Sequence, residues 1–193
     1  MYLSGELTVS IKETDVDDAQ HPKLLRKYQH PNTCNHFIRL GKIEDFSRFK
    51  KPIVWITSPD GTGKSTFVSS FLKETDQKAY WYTFDESDLD ICNLKRNFYN
   101  LLGLDQDVYC NDSIENTYSI STIIKQNSIK NKVIVFDNFE ALDNNQLICQ
   151  IVEIFLTELS DTIQFYILSR STLPKEFLQL DLNGLIEMVE WPF

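Results

Sequence analysis

The sequence predicts an α/β fold, with a mainly parallel, five-stranded sheet flanked by helices in three layers. Two observations predict this fold. Runs of apolar, β-branched and aromatic residues alternate along the chain with segments of helical length, and the runs are continuously apolar. Continuous apolar runs are typical of strands buried on both faces of a parallel sheet, and their alternation with helices indicates βαβ units. The chain of 193 residues, 42% of them hydrophobic, is long enough for one domain with a sizeable core.

The elements follow in order from these patterns. Strands are predicted at residues 52–57, 79–84, 132–137, 163–169 and 185–191. Helices are predicted between strands at 65–74, 90–102, 118–126 and 144–159. Before the first strand, Ile38, Ile43 and Phe46 recur at roughly helical spacing. Residues 1–36 have little periodicity apart from a short strand at 7–11, so we expect an irregular N-terminal segment and a domain at 37–193.

Charge and hydropathy exclude several classes of function. The net charge is −9 and basic residues form no stripe, so we expect no direct nucleic-acid binding by this chain. No apolar run approaches the ~18 residues of a membrane span, and the N-terminus lacks the pattern of a secretory signal. We therefore expect a cytoplasmic protein without membrane partners. The run HPNTCNH lacks the paired cysteines of common zinc sites and is interpreted as an ordinary loop.

The segment SPDGTGKST, at residues 58–66, follows the first predicted strand and opens a helix. Gly61 and Gly63 allow a tight turn and a close approach of backbone N–H groups to phosphate oxygens. Lys64 is expected to reach the β- and γ-phosphates, and Ser65 to hold Mg²⁺. The segment therefore predicts a phosphate-binding P-loop and, with it, a P-loop NTPase fold. The predicted nucleotide-binding residues of this loop are Ser58, Pro59, Asp60, Gly61, Thr62, Gly63, Lys64, Ser65 and Thr66.

The loop departs from the usual G-x-x-x-x-G-K-[ST] pattern because Ser58 stands where the first glycine is expected. That glycine starts the loop and is not required to touch phosphate. Pro59 biases Ser58 towards an extended conformation. We therefore expect Ser58 to continue the strand, so that the loop begins one residue later.

The third strand ends in Asp137, which completes a Walker B pattern of four apolar residues and an acid. Its carboxylate is predicted to bind Mg²⁺ through the ion's water shell, next to Ser65. Many P-loop ATPases place a second carboxylate directly afterwards, but here the residue is Asn138, which cannot accept a proton. Glu140 is the candidate substitute. Slow ATP hydrolysis is the resulting prediction.

Two further strand ends carry charged residues. Arg170 follows the fourth strand and is predicted to interact with the γ-phosphate, because its charge attracts that anion. The predicted catalytic residues are therefore Lys64, Asp137, Glu140 and Arg170. The acidic run at 85–88, after the second strand, is interpreted as a solvated helix start.

Four segments resemble the nucleotide-binding core of MalT-like transcriptional regulators, which belong to the signal-transduction ATPases with numerous domains (STAND). They are SPDGTGKST, AYWYTFDESDLDICNLKRNFYNLLG, VIVFDNFEAL and FYILSRSTLP, in the family's order. The resemblance implies that the fourth strand lies between the first and third, which would bring Arg170 beside Lys64 and Asp137. It implies an ATP/ADP-controlled switch with Mg²⁺ and nucleotide-dependent self-association. It also implies adenine contacts from Ile38 and Arg39, and a chain truncated before a helical lid domain.

Two other functions stay open. The first is a small P-loop kinase that phosphorylates a metabolite, although such kinases usually carry an arginine-rich lid and the predicted helix at 144–159 has no Arg or Lys. The second is a degenerate fold that binds no nucleotide and serves as an interaction module. The intact G-K-S sequence and Asp137 argue against that second alternative.

Overall fold

The computed structural model describes residues 27–31, 40–101, 132–142, 148–149, 151–152 and 163–192. Its centre is a sheet of five strands, β1 to β5, in the order β2-β3-β4-β1-β5, and every pairing is parallel. The strands are Ile53–Thr57, Ala79–Thr83, Lys132–Asp137, Ile163–Ser169 and Ile186–Glu190. The predicted five-stranded α/β fold is confirmed, and β4 lies between β1 and β3 as the family resemblance implies.

Four α-helices, α1 to α4, lie in the described part of the chain at Leu40–Phe46, Lys64–Glu74, Ile91–Leu101 and Leu178–Leu182. Short 3₁₀-helices occupy Glu86–Leu89, Phe139–Ala141 and Lys175–Phe177. The two helices between β4 and β5 were not predicted. The predicted strand at 7–11 and helix at 118–126 lie outside the described residues. Of the predicted helix at 144–159 only residues 148, 149, 151 and 152 are described, and all four are helical.

Helices cover both faces of the sheet, because the interior strand β1 is apolar on both sides. Val54 and Ile56 face α1 and α2, and lie in one cluster with Phe46 and Phe71. Ile53 and Trp55 face the other way, into a cluster with residues of α3, α4 and two of the 3₁₀-helices. Residues 53–56 are almost completely buried. Burial of each such side chain stabilises the fold by about 1.5–3 kcal/mol, so β1 anchors both layers.

The carboxyl ends of the strands meet at one edge of the sheet. Thr57, the last residue of β1, lies opposite Ser169 of β4 and Glu190 of β5. Thr83 of β2 likewise lies opposite Asp137 of β3. This parallel register gathers the residues that follow the strands, which is where ligands of such sheets bind. Within the described residues, no helix has the length and apolarity needed to cross a membrane.

The interpretation of residues 85–88 as a solvated helix start is only half right. Asp85 is the N-cap of a 3₁₀-helix and forms a capping box with Asp88. Asp88, however, is completely buried, and its carboxylate lies 2.6 Å from Nζ of Lys27, which also contacts Asp85 at 2.9 Å. The N-terminal segment thus supplies the cation for this acidic turn, a partner 58 residues away from Asp85 that no local pattern indicates.

The acidic turn, Lys27 and Tyr28 form one polar network beside the edge strand β2. Asp88 accepts hydrogen bonds from the Tyr82 hydroxyl, at 2.5 Å, and from the Asn97 amide, at 3.0 Å. Tyr28 donates in turn to Asn97 at 3.2 Å. Burial and the nearby Asp88 carboxylate raise the pKa of Tyr82 well above its ordinary value, so this hydroxyl stays protonated and donates.

Candidate functional site

The loop after β1 turns through two left-handed glycines and ends at the start of α2. Gly61 and Gly63 have φ angles of 73° and 85°, in the left-handed region. No described atom lies within 4 Å of a Cβ built at either position, so backbone conformation rather than crowding requires glycine there. Gly63 caps α2, and its carbonyl accepts the first helical hydrogen bond from Phe67 at 2.8 Å. The loop therefore opens directly onto a helix N-terminus, which favours anions.

Ser58 continues the β1–β4 ladder, because its N–H donates to the Ser169 carbonyl at 3.3 Å. Its hydroxyl oxygen lies 2.5 Å from Oγ1 of Thr62, and Thr62 also donates to the Pro59 carbonyl at 2.9 Å. A glycine at position 58 would lack this cross-loop contact. The serine thus replaces the first glycine of the motif without strain and adds a hydrogen bond that closes the loop.

Lys64 lies across the same loop. Its Nζ donates to the carbonyl oxygens of Ser58 at 2.9 Å and Pro59 at 3.4 Å. Among the described residues, the ammonium group is therefore held over the loop by these neutral carbonyl acceptors. A phosphate oxygen is a stronger acceptor for a charged donor than a carbonyl, so an anion in the loop would compete well for this cation.

Ser65, in the first turn of α2, donates a 2.8 Å hydrogen bond to Oδ1 of Asp137 at the end of β3. The Asn138 N–H donates to the same oxygen at 2.9 Å. Burial raises the pKa of Asp137 above its ordinary value, although the bond from Ser65, the Asn138 N–H and the charge of Lys64 oppose the shift. A hydroxyl and a carboxylate in contact beside a phosphate loop provide the oxygen ligands that Mg²⁺ prefers.

The Asn138 side chain is hydrogen-bonded to the end of a neighbouring strand. Its backbone is left-handed, with φ 58° and ψ 41°, a conformation that asparagine tolerates better than most residues. Its amide Nδ2 donates to the Phe84 carbonyl, at the end of β2, at 2.9 Å. Asn138 therefore ties the ends of β2 and β3 together, a role that the spacing from Asp137 does not indicate.

Arg170 connects two loops of the site. Its Nη1 lies 2.5 Å from Oδ2 of Asp60 in the P-loop, and its Nε donates to Oε1 of Glu140. The backbone N–H of Arg170 donates to the second oxygen of Glu140 at 3.1 Å. The hydrogen bond from Arg170 to Glu140, and to a smaller extent the one to Asp60, raise the pKa of the guanidinium, so it remains charged. The side chains of Glu140 and Arg170 are thus paired with each other.

These elements enclose a cleft of about 420 Å³. Its lining combines the P-loop with the end of β3: Asp60, Gly61, Thr62, Gly63, Lys64, Ser65, Thr66, Asp137, Asn138, Glu140 and Leu168. Three predicted site residues are not part of this lining but contact residues that are: Ser58 and Pro59 contact Thr62, and Arg170 contacts Asp60 and Glu140. Ile38 and Arg39, the predicted adenine contacts, lie outside the described residues. The structure brings the other predicted site residues together at one edge of the sheet.

Trp191 is a neighbour of the P-loop that the sequence analysis did not single out. Its Nε1 donates to the Thr62 carbonyl at 2.8 Å, and its ring stacks on Phe67 of α2, with centroids 4.2 Å apart. The end of β5 is thereby attached to the loop that lines the cleft. In the sequence, Trp191 is only the last residue of an apolar run, so no local signal indicated this contact.

Comparison with known proteins adds little to this picture. No protein-family model and no curated protein matches the chain. Among solved structures, the chain is similar to C. elegans PCH-2, with a TM-score of 0.41 and 15% identity over 74% of this chain and 36% of that one. The chain thus spans little more than a third of that protein's length, and so loose a likeness carries no weight. The P-loop NTPase fold rests instead on the all-parallel sheet and the strand–loop–helix unit that holds the G-K-S sequence.

Proposed function

We propose that this chain is the nucleotide-binding switch domain of a signal-transduction ATPase, of the kind found in MalT-like transcriptional regulators, and that it binds ATP and ADP with Mg²⁺. The observation that carries the proposal is the 2.8 Å hydrogen bond between Ser65 and Asp137. It joins the P-loop serine to the Walker B aspartate, the two residues whose oxygens P-loop NTPases use around the metal.

The residues of the cleft fit a Mg²⁺–nucleotide complex. Lys64 would exchange the carbonyls of Ser58 and Pro59 for phosphate oxygens, and the N–H groups at the start of α2 would surround the anion. Ser65 and Asp137 would hold Mg²⁺, which neutralises phosphate charge when it is bound. The oxygen ligands and the left-handed glycines are the features that fit such a complex.

Hydrolysis is proposed to be slow, because no carboxylate among the described cleft residues is placed as an unpaired base. Asn138 has no carboxylate, and its side-chain amide donates a hydrogen bond to the Phe84 carbonyl. Glu140, the candidate substitute, accepts two hydrogen bonds from Arg170. Both oxygens of Glu140 therefore already accept hydrogen bonds from Arg170, and the carboxylate is not positioned to orient an attacking water.

The regulatory character rests on Arg170. It follows β4, the strand between β1 and β3, and it contacts residues from the loops after both of those strands. A γ-phosphate that bound Arg170 would therefore change its contacts with Asp60 and Glu140, and so alter the loops after β1, β3 and β4 together. We propose that this rearrangement causes the chain to self-associate, and that the chain does not bind nucleic acid or membrane directly.

The test is calorimetric titration with ADP, and with ATP plus Mg²⁺, of the unmutated chain and its Lys64→Ala variant. Lys73→Ala, an exposed lysine at the other end of α2, is the matched control. Binding of both nucleotides that is lost in Lys64→Ala and kept in Lys73→Ala supports the proposal. Absence of binding to the unmutated chain contradicts it and favours the interaction module.

Two further readouts separate a switch from an enzyme. Phosphate release should be slow, and the apparent mass on size exclusion should rise with ATP and not with ADP. Rapid turnover would contradict the slow-hydrolysis part of the proposal. Transfer of the γ-phosphate to a supplied metabolite would favour a kinase instead.

A further inference from the structure

Asp60 occupies an unusual place for an acidic residue. It lies in the P-loop and lines the cleft proposed to hold phosphate, yet its carboxylate carries the same negative charge as phosphate. The contact that accounts for its position is the 2.5 Å ion pair with Nη1 of Arg170. Asp60 thus binds the cation that the proposed function assigns to the γ-phosphate.

The two carboxylates on Arg170 are not equivalent. Glu140 is 11% exposed and accepts both from the Arg170 side chain and from its backbone N–H. Asp60 is 72% exposed and pairs through Nη1. An exposed ion pair contributes only about 0–1 kcal/mol. The contact to Asp60 is therefore the one that another anion can replace.

We propose that Asp60 is a specificity-determining residue, which competes with the γ-phosphate for Arg170 and so biases the site towards nucleoside diphosphates. The proposal rests on the proposed function, because it assumes that the cleft binds nucleotides. A diphosphate leaves the pair between Asp60 and Arg170 intact. The γ-phosphate of a triphosphate must replace the Asp60 carboxylate as the partner of the Arg170 guanidinium. It must also pass close to the negative charge of Asp60.

The experiment compares affinities for ADP and for a non-hydrolysable ATP analogue, both with Mg²⁺, in the unmutated chain and in Asp60→Asn. Asparagine keeps the size of the side chain and removes its charge. We expect the analogue-to-ADP affinity ratio to rise about fivefold in Asp60→Asn. Asp76→Asn is the charge-matched control. Asp76 is exposed, follows α2 at the opposite edge of the sheet, and has a φ of 51° that asparagine accepts.

An Arg170→Gln background tests the mechanism. If Asp60 acts through Arg170, the change in ratio caused by Asp60→Asn should disappear when Arg170 is absent. A ratio that is unchanged in Asp60→Asn, or that rises equally in Asp76→Asn, overturns the proposal. So does a rise that persists in the Arg170→Gln background, since it would show direct repulsion of the nucleotide.

The outcomes also separate this inference from the proposed function. If the unmutated chain binds both nucleotides through Lys64 but Asp60→Asn leaves the ratio unchanged, only the inference fails. If the unmutated chain binds neither nucleotide, both fail.

Discussion

The hydroxyl of Ser65 donates a 2.8 Å hydrogen bond to Oδ1 of Asp137, a residue 72 positions further along the chain. Ser65 belongs to the helix that follows β1, and Asp137 ends β3, so the bond spans the position of β4 in the sheet. Neither residue reaches the other through local structure. The strand order produces the contact, and with it the centre of the candidate site.

Replacement of Ser65 by alanine should weaken nucleotide binding chiefly when Mg²⁺ is present. The variant loses one oxygen ligand of the proposed metal site and the hydrogen bond to the Asp137 carboxylate. Hydrogen bonds to charged groups contribute about 1.5–3 kcal/mol. We expect at least a tenfold loss of affinity for ATP with Mg²⁺, about 1.4 kcal/mol, and little loss with EDTA. Titration calorimetry under both conditions measures the difference.

Ser70→Ala is the control for this substitution. Ser70 lies on the same helix, is buried, and donates to the Thr66 carbonyl at 2.8 Å rather than to a residue of β3. It should leave the Mg²⁺ dependence unchanged. A Ser65→Ala variant that keeps the full effect of Mg²⁺ would remove Ser65 from the proposed metal site.

Replacement of Lys27 by methionine should destabilise the whole domain. The Lys27 side chain is 3% exposed and that of Asp88 is 0% exposed, so the substitution leaves a buried carboxylate without its cation. Loss of one partner of a buried pair typically costs about 3–5 kcal/mol. Urea denaturation followed by circular dichroism should show a lower free energy of unfolding by about that amount.

A double variant separates loss of charge pairing from loss of packing. Lys27→Met with Asp88→Asn removes the unpaired charge and should recover part of the stability. Lys175→Met, at an exposed lysine, should cost much less. A Lys27→Met variant as stable as Lys175→Met would mean that segment 27–31 does not support the domain.

Acidification should weaken the fold through Asp85. Burial alone would raise the pKa of Asp85, but hydrogen bonds from Ser87 and Lys27 outweigh burial and hold this pKa below its ordinary value of 3.8. The folded state therefore binds fewer protons than the unfolded state. The stability that Asp85 contributes is present above its unfolded pKa and is lost as the pH falls through the folded value.

Asp85→Asn should flatten this acid-induced loss of stability. Urea denaturation at several pH values, extending below about pH 4, measures the slope. Asp76→Asn, at an exposed aspartate, is the matched control. Equal slopes in Asp85→Asn and the unmutated protein would contradict a lowered pKa at Asp85.

The contact between Ser58 and Thr62 should contribute measurably to stability. Ser58→Ala and Thr62→Val each remove one of the two hydroxyls, which lie 2.5 Å apart. We expect each to lower the free energy of unfolding by about 0.5–1.5 kcal/mol. The double variant should cost less than the sum of the single ones, since both remove the same bond. Strict additivity would mean that the two hydroxyls do not interact.

Much of the fold was predictable because its signals are local. The continuous apolar runs predicted both ends of all five strands to within one residue, as for β2, predicted at 79–84 and observed at Ala79–Thr83. The helix that follows the P-loop was predicted equally well. The α-helix Leu178–Leu182 was missed, since five residues are too few to establish a helical period.

The candidate site was predictable only in part. The P-loop and Asp137 follow from motifs whose chemistry fixes the residue types. The orientation of Asn138 towards Phe84, the pairing of Glu140 with Arg170, and the attachment of Trp191 to Thr62 depend on neighbours distant in sequence. Local patterns carry no information about such partners, so these contacts were not predicted.

The sequence by itself determined the parallel α/β architecture and the residue types of the candidate phosphate and metal site. Continuous apolar runs and glycine conformation are properties of a few adjacent residues. Only the tertiary structure decided how the charges pair. Lys27 pairs with the buried Asp88, and Arg170 pairs with both Asp60 and Glu140. The strand order and residues 27–31 bring these groups within a few ångströms of each other. At that distance, Coulomb attraction and the cost of desolvation determine which charges pair.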